Sequence, residues 1–243
     1  MNLRWLSLSV AALAVGLCCG GCRDAPGRPG AAVTRPDKVT DFRLLYRQNC
    51  AACHGVRGDY GDAISLNNPV YLAIAGTVNI QKITANGVPG TLMPAFAKSQ
   101  GGMLTDQQVA ILAQGVESAW GRSNALGGQT APPYAGSTAG DPSAGQKAYG
   151  TFCASCHGVE GQGVVNAKLH TGSIVDPSYL ALISDQGLRS LILAGQPQEG
   201  MPDWRSDLQG TGARSMTDQE VTDIVAWLAS HRVAAPGQFY SHP

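Results

Sequence analysis

Two five-residue runs constrain this chain more than anything else in it: Cys50-Ala51-Ala52-Cys53-His54 and, beginning 103 residues later, Cys153-Ala154-Ser155-Cys156-His157. Two cysteines three apart on one helical turn reach neighbouring points on a flat ligand, and the next residue turns its imidazole beneath it. This is the attachment geometry of haem c, with two thioethers to the porphyrin vinyls and a histidine nitrogen on iron. Paired cysteines also serve as disulfides, as redox C-x-x-C centres and as halves of zinc ribbons. None of these uses needs a histidine directly after both pairs, and the 99 residues between the pairs are too many for a ribbon. The sequence therefore predicts two covalently bound haem c groups, held by Cys50, Cys53 and His54 and by Cys153, Cys156 and His157.

A length of 243 residues accommodates two small domains. Four of the seven cysteines belong to the haem motifs; Cys18, Cys19 and Cys22 lie near the N-terminus. With 31 glycines and 14 prolines the chain is loop-rich without being of disordered composition, as expected of small modules that use a porphyrin as part of their core. A formal net charge of zero argues against nucleic-acid binding and against a strong steering field.

The first residues combine a positive start, Met1 to Arg4, with an apolar run from Trp5 to Leu17 that is too short to span a bilayer. Residues 1–21 read as an export signal. Cys22, preceded by two glycines, resembles the acylated cysteine of bacterial lipoproteins; Cys19 stands where an aliphatic residue is usual, so an ordinary signal cleaved slightly later is the other reading. Both lead out of the cytoplasm, where haem c is attached. Residues 22–38, rich in Pro, Gly, Ala and Arg, read as a flexible tether.

Comparison of the two halves reveals a tandem duplication. Tyr46 and Tyr149 each stand four residues before the first haem cysteine. Pro69, Tyr71 and Leu72 match Pro177, Tyr179 and Leu180 at an offset of 108, as Gly87, Pro89 and Met93 match Gly195, Pro197 and Met201. Thr105 to Val109 matches Thr217 to Val221 at 112, so the second copy carries two small insertions, one after the haem motif and one after the methionine. Helix punctuation repeats too. Asn68-Pro69, Asp141-Pro142 and Asp176-Pro177 read as N-caps followed by proline at the first helical position. Gly87 and Gly195 read as C-terminal stops, and T-x-x-Q at Thr105 and T-x-x-E at Thr217 as capping boxes. The segment between the copies, 123–141, is rich in small residues and proline and reads as a linker. Domains are expected at 39–122 and 142–232, with a tail at 233–243.

With haem motif, Met-Pro pair and final helix in this order, each half resembles a class I cytochrome c. The whole is similar to tandem dihaem cytochromes c found beside bacterial respiratory complexes. The resemblance implies an all-α fold, each domain a small helical bundle around one haem, with first and last helices crossing and a haem edge exposed. It also implies a proline, about a dozen residues after the proximal histidine, whose carbonyl holds the imidazole; both halves lack it. In the family a small residue on the first helix admits an aromatic residue of the last. The second half fits, with Gly145 and Trp227, whereas the first places Phe42 and Gly115 at the matching positions. Large and small have changed places, and Phe42 is expected to lie over Gly115.

The sixth ligand separates carrier from enzyme, because a sulfur ligand raises the potential and closes the iron to substrates. Met93 and Met201 each precede a proline and stand six residues after a glycine, 39 and 44 residues beyond their histidines. Met103 and Met216, the competitors, do not match in register. The first half contains only His54, which argues against bis-histidine ligation; His170, His231 and His242 all lie in the second half. These residues describe a two-haem carrier of single electrons, placed on the periplasmic side of a bacterial membrane. Its donor would be a quinol-oxidising or dehydrogenase complex and its acceptor a terminal oxidase or soluble cytochrome. A dihaem peroxidase or the haem subunit of a dehydrogenase is the rival reading. Low charge implies transient docking through apolar contact around the haem edges.

Overall fold

The computed structural model describes residues 33–166, 170–205 and 214–234. The expected export signal, the lipidation candidate Cys22 and most of the tail lie outside the described residues. The chain divides into two compact units, Met1–Lys38 and Val39–Pro243. Of the first, the described residues include one 3-10 turn, Pro36–Lys38.

The second unit contains both copies. The first copy comprises α1 (Phe42–Asn49), α2 (Ala51–His54), α3 (Pro69–Asn86) and α4 (Asp106–Trp120). The second comprises α5 (Pro142–Phe152), α6 (Ala154–His157), α7 (Pro177–Leu182), α8 (Asp185–Ala194) and α9 (Asp218–Ala229). Helix starts follow from their caps. Asn68, Asp141 and Asp176 each accept a backbone N–H from the first turn, with proline at the following position. Both capping boxes close reciprocally: Thr105 with Gln108, and Thr217 with Glu220.

The duplication explains why helix counts differ. α3 is broken at Gly76, whose φ of 67° and ψ of 158° are open to glycine and few other residues. Ser184, the N-cap of α8, stands 108 residues later. α3 is thus α7 and α8 run together, interrupted at the same place. The first insertion of the second copy forms a two-residue antiparallel ladder, β1 (Val164–Val165) with β2 (His170–Thr171), a small β element in an otherwise helical fold. Thr171 ties it to the haem motif, its hydroxyl donating to the Cys156 carbonyl at 2.6 Å.

In each copy the first helix crosses the last, and one partner must lack a side chain there. A Cβ on Gly145 of α5 would stand 1.9 Å from the Asp223 carbonyl oxygen and 2.9 Å from Trp227 Cβ, so α5 and α9 meet backbone to backbone. In the first copy the glycine is on the other helix: a Cβ on Gly115 of α4 would stand 2.1 Å from the ring of Phe42. The exchange of large and small read from the sequence is present. The position of the indole was not legible. Trp227 stacks at 4.2 Å on Tyr149, but its counterpart against Tyr46, at 5.1 Å, is Trp120, five residues beyond Gly115. The two indoles end against equivalent loops, Trp120 near Gly58 and Trp227 near Gly161, and Phe42 completes a three-ring cluster with Tyr46 and Trp120.

The two copies share a seam. Asn68, at the start of α3, donates to the carbonyls of Ala194 and Gly195 at the end of α8, both at 3.1 Å. Ala194 belongs to the first copy's core, whereas Val70 and Ile74 pack against the second's. The 123–141 segment is held along this seam. Buried Arg189 donates to the Pro133 carbonyl (2.8 Å) and the Tyr134 carbonyl (3.1 Å) and pairs with Asp218, and Gln186 Nε2 donates to the Tyr134 carbonyl at 2.8 Å.

Because Phe42 occupies the space a Gly115 side chain would need, the two positions are coupled. Phe42→Ala is expected to cost about 2–3 kcal/mol, below the fully buried range because the ring is half-exposed. Gly115→Ala should destabilise the wild-type protein but stabilise the Phe42→Ala variant by about 1 kcal/mol through helix propensity. A double-mutant cycle from denaturant unfolding of the haem-loaded protein checks this, and additive effects would refute the coupling.

Candidate functional site

Each haem motif is delivered by the helix before it. Cys50 N–H bonds the Tyr46 carbonyl and His54 N–H the Cys50 carbonyl; Cys153 with Tyr149 and His157 with Cys153 repeat both bonds, all between 2.8 and 3.0 Å. The two tyrosines then close the far side of the motif. Tyr46 donates its hydroxyl to the Gly55 carbonyl at 2.9 Å and Tyr149 to that of Gly158 at 2.6 Å. Burial pushes both phenols up, which keeps these donors protonated. Gly55 and Gly158, with φ of 79° and 81°, turn the chain away beneath the histidines. At Gly55 a Cβ would stand 1.8 Å from the Asp59 carbonyl oxygen, so only glycine fits.

The surroundings suit thioether attachment and not dithiol chemistry. The four haem-motif cysteines form no disulfide. Burial, then the neighbouring cysteine, pushes the Cys50 and Cys153 thiols up to about 12, whereas a redox C-x-x-C needs a lowered value to form its thiolate. Among the described residues no three His, Cys, Asp or Glu side chains come together as a metal cage, which leaves the zinc-ribbon reading without ligands.

The histidines suit iron. His54 is buried and its Nδ1 lies 2.8 Å from the Ile64 carbonyl, so Nδ1–H donates there and Nε2 is left free for metal. Burial lowers its pKa and favours the neutral imidazole that a metal requires. Ile64, ten residues after His54, is the acceptor that the missing proline left unassigned. His157 differs. Its pKa is also lowered by burial, but its buried Nδ1 has no hydrogen-bond partner among the described residues.

The methionine loops are built alike. Val88 N–H bonds the Met93 carbonyl at 3.0 Å, and Gln196 N–H bonds that of Met201 at 2.9 Å. Both loops fold onto a helix-ending glycine. A Cβ on Gly87 would stand 2.6 Å from Pro94 C and 2.7 Å from the Met93 oxygen; on Gly195 the values are 2.5 Å to Pro202 C and 2.6 Å to the Met201 oxygen. These glycines, with φ of 67° and 64°, therefore serve the methionine loop as well as ending the helix. Beyond each methionine an aromatic residue is tied back: Phe96 N–H to the Thr84 carbonyl and Trp204 N–H to that of Leu193, both at 3.1 Å.

The competitors are otherwise placed. Met216 is 7% exposed within the second core, and Met103 is 79% exposed. His231 bonds the Trp227 carbonyl through Nδ1 at 2.9 Å, at the C-terminus of α9 where a histidine suits the helix dipole. His170 is exposed on β2, and His242 lies outside the described residues. Sequence reasoning passed over Ile64, Trp120 and Arg189, whose roles are set by carbonyls and by packing that have no residue signature.

Comparison with known proteins agrees with this construction. Residues 142–232 match the family Cytochrome c, and residues 37–114 match the family Cytochrome C oxidase, cbb3-type, subunit III. The "Cbb3-type cytochrome c oxidase subunit CcoP" of Azospirillum sp. (strain B510) is 32% identical over 136 residues, covering 51% of this chain and 41% of that protein. The chain thus aligns with less than half the length of that relative. The "Kuenenia stuttgartiensis reducing HAO-like protein complex Kustc0457/Kustc0458" is similar in structure at a TM-score of 0.47 and 18% identity, over 83% of this chain and 100% of that one. Each half of the chain is thus a c-type cytochrome module. The protein is a tandem dihaem cytochrome c, with two covalently bound haem c groups.

Proposed function

We propose that this cytochrome passes single electrons between a quinol-oxidising or dehydrogenase complex and a terminal oxidase or soluble cytochrome, with no substrate turnover of its own. Cys50, Cys53 and His54 hold the first haem and Met93 caps it; Cys153, Cys156, His157 and Met201 do the same for the second. Haem c, when bound, would supply an iron that changes by one electron, and a methionine sulfur ligand would favour its ferrous form. The observation that carries this reading is the shared seating of the two Met-Pro loops: in each, the residue after a positive-φ glycine bonds the methionine carbonyl, and the loop backbone closes on that glycine where no side chain fits. The protein's task is then positional. Tyr46 and Tyr149 hold the haem-motif turns, and the packed aromatic residues exclude water.

Docking is proposed at apolar surface beside the motifs, where Val56 and Val159 occupy equivalent positions and are 74% and 69% exposed. The likeness to CcoP supports an oxidase as the electron acceptor. Among the described residues no helix is long and apolar enough to cross a membrane, and attachment is assigned to a lipid on Cys22.

Spectra of the two haems test the ligand set. In the ferric protein a sulfur-to-iron band near the red edge is expected from both haems, and Met93→Ala should remove the first contribution and Met201→Ala the second. A high-spin signal in the protein as isolated would instead favour a peroxidase.

The proximal histidines predict an order of potentials. Donation from His54 Nδ1 to the Ile64 carbonyl makes that imidazole the more basic ligand and favours ferric iron, whereas His157 has no such acceptor among the described residues. The first haem should therefore have the lower potential. In a spectroelectrochemical titration Met93→Ala should displace the lower wave and Met201→Ala the upper; the opposite pairing would reverse the order.

Cys22→Ser should release the protein from the membrane fraction. Wild-type protein found wholly in the soluble periplasm would defeat the anchor.

A further inference from the structure

We infer that Asn68, a residue of the first module, is a positioning residue for the Met201 loop of the second. The inference rests on the proposed role of Met201 as sixth ligand. Asn68 is 3% exposed, and its carboxamide is used from both ends. Oδ1 accepts from Val70 N–H (3.0 Å) and Tyr71 N–H (3.2 Å), which caps α3. Nδ2 crosses the seam and donates to the Ala194 and Gly195 carbonyls, each at 3.1 Å. Those carbonyls end α8, where the helix itself supplies no donor.

The methionine loop begins directly after these two residues. Gly195 presses against the Pro202 and Met201 backbone. Gln196, the next residue, bonds Met201 in both directions, N–H to carbonyl at 2.9 Å and carbonyl to N–H at 3.1 Å. Two hydrogen bonds from the first module therefore fix the peptide units from which the Met201 loop springs. The dependence runs one way. The residue equivalent to Asn68 in the second module is Asp176, which caps α7 through its carboxylate and lies exposed. A carboxylate has no N–H to donate, so it cannot return the contact to the Met93 loop. The same duplication that placed an N-cap in both copies has made one of them, by a carboxamide in place of a carboxylate, a tie between haem sites.

The test uses the full-length, haem-loaded protein. Asn68→Asp keeps the capping oxygen and the size of the side chain but removes the donor. Asn68→Ser keeps a capping oxygen and removes the two carboxamide N–H donors without adding charge, leaving one hydroxyl on a shorter side chain that cannot serve both carbonyls and the cap. Both should raise amide hydrogen exchange at Gln196 and Met201 about tenfold or more, as expected for loss of buried hydrogen bonds, with Val88 and Met93 unchanged. In a Met93→Ala background, where the remaining sulfur-to-iron band belongs to the second haem, both variants should lose that band at lower temperature than their parent. Equal changes in exchange at the two methionine loops would mean general loosening and would overturn the inference. So would a wild-type response from Asn68→Ser, since the Asp effect would then be charge repulsion alone. Met201→Ala separates the two claims. If the second haem keeps its band in that variant, the ligand assignment fails, while the exchange data still judge the Asn68 tie by themselves.

Discussion

The rest of the structure depends on two helix crossings at which one partner has no side chain. At Gly145 the constraint is backbone against backbone, 1.9 Å from a Cβ position to the Asp223 carbonyl; at Gly115 it is backbone against the face of Phe42. The crossing sets where α1 and α5 end, and the haem cysteines begin on the next residue. Tyr46 and Tyr149 lie one turn before those cysteines, between the crossing and the motif. Each has an indole against one side and gives its hydroxyl to the glycine after histidine. Packing is in this way transmitted to the haem-motif turn through one ring and one hydrogen bond. Interiors are dense enough that volume can be exchanged across such a contact but not lost from it. That is why the first copy brings Trp120 from a turn and a half further along its helix to fill the place Trp227 fills in the second.

Both copies seat the methionine loop on an equivalent glycine and differ more on the histidine side. A methionine loop seated on a positive-φ glycine leaves little freedom: the glycine ends the helix and receives the loop with the same atoms. The proximal side has more latitude, because any backbone carbonyl can serve as acceptor. His54 found one at Ile64. In the second copy the equivalent stretch carries the β1–β2 ladder, and among the described residues the His157 ring lacks the contact. A duplicated fold can thus repeat the haem motif and still give its two histidines different surroundings.

The seam joins the modules through polar contacts that are specific in direction. Arg189, nearly inaccessible, gathers the Pro133 and Tyr134 carbonyls, the Thr222 hydroxyl and the Asp218 carboxylate. Removal of Asp218 would leave a buried guanidinium without its counter-charge, a costly state. Such a group adds less to stability than to the choice of one arrangement. A segment composed of small residues and proline, with little apolar surface to bury, is placed by these bonds.

The chemistry was legible in the sequence because it is local. C-x-x-C-H repeats within five residues, an N-cap and its proline within two, a capping box within four, and the Met-Pro pair keeps its offset from its glycine. Even the Phe42–Gly115 exchange was readable, since it needed only two matched positions and the rule that volume is conserved. The features that the tertiary structure alone decided involve partners far apart in sequence or without a side-chain signature. Ile64 accepts from His54 through a carbonyl that every residue possesses. Trp120 works from outside the matching register because space, not sequence position, selects it. Asn68 and Asp176 are interchangeable as helix caps, and in the sequence they read as the same signal. Only the placement of Ala194 and Gly195 beside one of them makes the amide N–H matter, because a hydrogen bond across 126 residues depends on where the folded chain sets its acceptor.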